Sequence, residues 1–164
     1  MNNVVRYFTG EKDESYIFLT LGIIGLMMAV YFLFALKSSF WRGIAIPFIL
    51  VSILEIIVGV TLIFRSPKDI IRVEHYINNE PEKIKTDELP RMNQVMKNFV
   101  VFRYSEIVLI ITGLILYFSC SGFDFWKGIG IGLSIQASIV LLLDYFAERR
   151  GAVYLEYLNT LVNG

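Results

Sequence analysis

Glu55 is the residue on which chemistry would turn. It interrupts an otherwise apolar run over residues 44–64. It stands roughly 13 Å from the basic end of that run, at about 1.5 Å of rise per residue. A bilayer core is about 30 Å thick, so the carboxyl would lie near its midplane. A central acidic residue costs about 2.5–3.5 kcal/mol on insertion scales and is retained when it pairs, binds or conducts. Three uses fit: a proton or cation site, a contact with a partner, or a carboxyl hydrogen-bonded to a neighbouring helix. Gln136 is the expected internal partner, because it stands at similar depth in another apolar run.

A second group gathers where the apolar runs meet their polar flanks: Arg65, Arg103, Glu106, Asp144, Glu148, Arg149 and Arg150. Arg103 and Glu106 are three apart and share a helix face. Asp144 still lies inside its apolar run. Interhelical salt bridges with snorkelling side chains are one use for such a set. A vestibule for an anionic headgroup or a charged substrate is the other.

Other reaction chemistry has little to stand on. The single cysteine, Cys120, excludes an internal disulfide and a CxxC redox pair. His75 is the only histidine, and a metal site needs several convergent ligands. No glycine-rich phosphate loop, nucleophile elbow or His-Glu-x-x-His occurs. Ser52, Ser134 and Ser138 have no base beside them and read as packing hydroxyls. No cofactor, metal or enzymatic activity is expected. Net charge is zero, which gives no whole-chain case for nucleic acid.

The elements that must position these residues are membrane helices. The 164 residues are 55% hydrophobic and 18% charged, with mean hydropathy +0.60. Soluble domains are about 45–50% apolar and about 25% charged. A helical span needs roughly 20 apolar residues. The sequence predicts an all-α integral membrane protein with spans at 16–36, 42–64, 99–120 and 125–147. The third is the weakest, since it reaches span length only by taking in Arg103 and Glu106. The first is too long for a signal-peptide core and follows Glu11, Asp13 and Glu14, so a retained helix is expected.

The four spans read as two tandem hairpins made by internal duplication. Ser39-Phe40-Trp41-Arg42-Gly43-Ile44 is echoed by Asp124-Phe125-Trp126-Lys127-Gly128-Ile129. Gly25-Leu26 and Gly113-Leu114 sit near the middle of the preceding runs. The alignment pairs Pro47 with Gly132, Arg65 with Arg150, and Gln136 with Val51, one turn from Glu55 on the same face. Two repeats of two spans would be related by an axis along the membrane normal. The turns joining the hairpin arms, 37–40 and 121–124, are very short. Small residues recur as Gly128-x-x-x-Gly132 and Gly130-x-x-x-Ser134-x-x-x-Ser138, for close packing within the chain or between copies.

Residues 65–98 are expected to form a helical hairpin between spans two and three. Ser66-Pro67-Lys68-Asp69 carries a hydroxyl cap, a first-position proline and a first-turn carboxylate, the signature of a helix start. A turn follows at 81–86. Met92, Val95, Met96, Phe99 and Phe102 then recur at helical spacing into span three. Residues 148–162 read as an amphipathic helix, lying on the leaflet or docked on the hairpin. Val4, Val5, Tyr7 and Phe8 form a short apolar patch suited to the interface.

Twelve lysines and arginines flank one end of the spans and three (Lys37, Arg42 and Lys127) the other. The positive-inside rule then places both termini and residues 65–98 in the cytoplasm, with the spans in the plasma (inner) membrane. Trp41 and Trp126 fall at the outer interface. The expected function is non-enzymatic: an accessory, scaffold or immunity-type subunit that binds a protein partner through its cytoplasmic helices. The alternative is a small homo-oligomeric transporter or channel using Glu55.

Overall fold

The computed structural model describes residues 3–120 and 122–163 as four long helices. Helix α1 spans Asn3–Tyr31 and is carried on by a wider π turn, Phe32–Leu36. Helix α2 spans Ser39–Asn79. A second π turn, Ile84–Glu88, leads into α3, Leu89–Ser119. Helix α4 spans Asp124–Asn163. All four are long and apolar enough to cross a membrane. Ser121, in the second short turn anticipated from sequence, lies outside the described residues.

Local chemistry marks the first tight turn. Lys37 ends α1 in the left-handed region at φ 54°. Ser38 is extended, and its hydroxyl accepts from the Trp41 N–H at the start of α2. These are the features of a short helix–helix connection, with one residue at positive φ and a hydroxyl cap.

The helices do not stop where the apolar runs stop. Ser66-Pro67, expected to open a new helix, lies inside α2. The Ser66 hydroxyl does not cap. It donates to the Glu11 carboxylate of α1 at 2.9 Å. An interior proline removes a backbone hydrogen bond and normally costs about 3 kcal/mol. Here Arg65 and Asp69, one turn apart and 3.2 Å from each other, tie the two sides of Pro67 together. Likewise α4 runs straight through residue 147, so residues 148–162 form no separate helix on the leaflet.

Each helix therefore continues past its apolar span; α2 alone adds 65–79, roughly 22 Å at 1.5 Å per residue. These extensions form a four-helix bundle. Its core is Val4, Tyr7 and Phe8 of α1, Val73 of α2, Ile84 and Met92 on the α3 side, and Tyr154 and Leu158 of α4. The N-terminal patch is core, not interfacial surface. Tyr7 stacks on Tyr154 with centroids 4.2 Å apart and planes 8° from parallel.

Within the spans, α1 packs on α2, α3 on α4, and α2 on α4. The central α2–α4 crossing is reciprocal. A methyl added at Gly43 would strike the Phe125 carbonyl and come within 3.0 Å of the Ile129 nitrogen. One added at Gly128 would strike the Phe40 carbonyl and come within 3.0 Å of the Ile44 nitrogen. Phe40 with Phe125, and Ile44 with Ile129, occupy matching places in the two echoed motifs. One turn deeper, Gly132 makes room for the Pro47 ring. The other small-residue stripe, Gly130 and Ser134, faces Gly113 of α3. Both stripes are thus used within the chain.

Candidate functional site

Glu55 is 3% exposed. Both of its carboxylate oxygens are buried without a hydrogen-bond partner. One turn earlier on the same face, the Ser52 hydroxyl is also buried and unpartnered. Gln136 is 3% exposed, but it does not bond Glu55. Its amide stands beside Gly25 at the level of Ser52, where a methyl on Gly25 would lie 3.3 Å from Nε2 and collide with the Ser52 hydroxyl. The sequence expectation of a Glu55–Gln136 hydrogen bond is not met: the register of α4 sets the amide one turn away. Three buried polar groups nonetheless share this α1–α2–α4 seam. A buried polar atom without a partner is uncommon and points to a proton, water or ion as its complement.

Nearer the basic end, the second predicted group divides among separate contacts. Arg103 reaches Glu148 at 3.2 Å. Glu106 stands against Asp144 across the α3–α4 seam. Arg150 pairs with Glu14 of α1. Arg65 pairs with Glu11 at 2.8 Å. Arg149 makes no ion pair among the described residues; its guanidinium lies 5.9 Å from the Tyr145 ring centroid. The predicted set is therefore not one vestibule. It is a series of interhelical pairs, with the acidic partners Glu11 and Glu14 supplied by a segment the sequence marked only as flanking charge.

Sequence reasoning missed the most buried of these networks. Glu88 is 1% exposed at the end of the second π turn. It accepts from Arg91 Nη2 at 2.6 Å and Nε at 2.9 Å, from Arg72 at 3.3 Å, and from the Tyr154 hydroxyl at 3.0 Å. Arg72 also holds Asp69 at 2.8 Å. The Arg91 guanidinium lies 5.8 Å from the Phe8 ring centroid. Charge-assisted bonds of this kind are about twice as strong as neutral ones, and this set joins all four helices. The available signal was the three-residue spacing of Glu88 with Arg91 and of Asp69 with Arg72.

Titration behaviour follows from burial. The Tyr154 hydroxyl is pushed well above the ordinary phenol value, first by burial and then by the Glu88 charge. Tyr7 is raised by burial and by Glu11. Burial works to lower Arg91, but the hydrogen bond and charge of Glu88 outweigh it and hold the guanidinium firmly protonated.

His75 bonds Glu80 at 3.0 Å and Asn79 at 2.9 Å on the exposed surface. No group of three or more histidine, cysteine, aspartate or glutamate side chains placed to hold a metal occurs among the described residues. Comparisons of this chain with protein-family models, with curated proteins and with solved structures each gave no match.

Proposed function

We propose that this is a small non-enzymatic membrane protein acting as an accessory, scaffold or immunity-type subunit, with its extra-membrane bundle as the partner-binding end. The observation that carries this role is the unbroken passage of the four helices into a bundle locked by Glu88, Arg72, Arg91 and Tyr154. Such a bundle offers a rigid surface at fixed height above the membrane. Ile71, 71% exposed on its outside, has no neighbour to bury it. Exposed apolar side chains away from lipid are suited to protein contact.

The orientation that fits is termini and bundle in the cytoplasm, supported by the twelve-to-three bias of basic residues. Internal duplication fits the reciprocal Gly43–Gly128 crossing. An isologous contact pairs matching residues in this way.

One observation favours a second role. The buried Glu55 carboxyl, with Ser52 and Gln136 near it in the spans, is suited to binding a proton or cation, as in a small transporter or channel. Flux in proteoliposomes separates the two. For a scaffold, purified protein conducts no protons or alkali cations between pH 5 and 8, and Glu55→Gln leaves fold and abundance unchanged. A pH-dependent flux that Glu55→Gln removes, with folded protein intact, overturns the scaffold role.

A further inference from the structure

We propose that the groove between the start of α1 and α4 just beyond its apolar span holds the headgroup of one anionic phospholipid. The groove has a volume of about 510 Å³ and is lined by Arg6, Tyr7, Asp13, Arg149, Arg150 and Tyr154, among others. Its depth fits a headgroup. The apolar run of α1 begins at residue 16 and that of α4 ends near residue 146. At 1.5 Å per residue Asp13, Arg149 and Arg150 then lie roughly 4–6 Å from the hydrocarbon edge, and Arg6 roughly 15 Å, toward the aqueous end of the groove. The headgroup layer adds about 5–7 Å on each side of a bilayer core of about 30 Å, so Arg149 and Arg150 stand at its level.

The groove's charges are available to a ligand. Arg6 and Arg149 are exposed and make no ion pair among the described residues. Arg150, joined to Glu14 through one terminal nitrogen, also lines the groove. Guanidinium groups are matched donors for phosphate oxygens. Gly10 is what lets this arginine lie across α1: a methyl there would come within 2.8 Å of the Arg150 Cδ. Asp13 is the one acid among the lining residues, against three arginines. The stacked Tyr7 and Tyr154 rings form a fixed aromatic wall. Contact between α1 and α4 is slight beside that in the other packed helix pairs, so the seam is open to a lipid arriving from the side. Basic pockets between membrane helices at this level suit anionic headgroups.

Native mass spectrometry of the full chain tests this, with phosphatidylglycerol and phosphatidylcholine offered at equal concentration. One phosphatidylglycerol should be retained per chain, with at least tenfold preference over phosphatidylcholine. Arg6→Gln with Arg149→Gln should remove that preference while the helical circular dichroism stays unchanged. Lys68→Gln with Lys97→Gln, which changes two exposed lysines on α2 and α3 at about the depth of Arg149, should not. Equal retention of the two lipids overturns the site. So does preference that survives in the Arg6/Arg149 variant, or that falls equally in the lysine variant. Inorganic phosphate at millimolar concentration should not displace the lipid. Displacement would assign the groove to a soluble phosphate and overturn the lipid.

Discussion

Glu88→Ala should lower the stability of the extra-membrane bundle by about 3–5 kcal/mol, the usual result of removing one partner from a buried ion pair. The loss falls mainly on Arg91. Arg72 keeps Asp69 at 2.8 Å, but Arg91 has both of its described carboxylate bonds to Glu88. The Tyr154 hydroxyl also loses its acceptor. Glu88→Gln should cost less, because the amide oxygen can still accept from Tyr154. Hydrogen exchange reads the effect by segment. Residues 3–12, 67–95 and 150–163 should exchange roughly hundreds-fold to thousands-fold faster in Glu88→Ala, at about 1.4 kcal/mol per tenfold, and residues 20–36 should not change. Unchanged protection in the bundle would mean that Glu88 is not the tie between its helices.

The same network sets an alkaline limit. Tyr7 and Tyr154 have folded values raised above the unfolded phenol value of about 10. Their contribution is full below that pH and is lost as pH rises above it, since the unfolded chain releases these protons first.

Gly43→Ala and Gly128→Ala should each destabilise the membrane bundle by about 1–3 kcal/mol, the cost of overpacking a close-packed interface. The direction is diagnostic. Alanine is the better helix former by about 0.8–1.0 kcal/mol, so a glycine with free space around it gains stability on this change. At Gly43 the added methyl meets backbone of the opposite helix, at the Phe125 carbonyl and the Ile129 nitrogen. Backbone cannot turn aside as a side chain can, so α2 and α4 must separate. The two positions face each other, so the gap opened by one methyl accommodates much of the second. The double variant should therefore cost clearly less than the sum of the singles. Unfolding of the purified protein in detergent provides the cycle. Stabilisation by either alanine, or full additivity, would contradict the reciprocal crossing.

Much of this was legible because a lipid environment demands it. Uncharged or nearly uncharged runs at 16–36, 44–64 and 128–146 can only be helices there. The Gly128-x-x-x-Gly132 spacing announced a close helix contact, and the structure places it at the α2–α4 crossing, where Gly43 is the opposing residue the spacing did not reveal. What was not legible came from contacts between distant segments. Ser66-Pro67 has every local mark of a helix start, yet Glu11, 55 residues earlier, takes the Ser66 hydroxyl. Arg150 and Glu14 are 136 residues apart. Glu55 and Gln136 show the limit most clearly. Depth along a helix can be counted from sequence, and both residues are buried in the spans. Which turn of α4 meets which turn of α2 is set by packing at Gly43, Gly128 and Pro47, and that register leaves the amide beside Ser52.

Partner binding through the bundle is tested most directly by photocrosslinking in living cells. A photoreactive amino acid is placed singly at Ile71, Asn159 and Leu161 on the outside of the bundle, and at Leu54 and Leu109 on the spans. A partner-binding bundle yields a discrete protein adduct of one mass from the bundle positions, unaltered by Glu55→Gln, and only lipid adducts from the spans. Bundle positions that give no protein adduct while the chain is folded and abundant would contradict the proposed role.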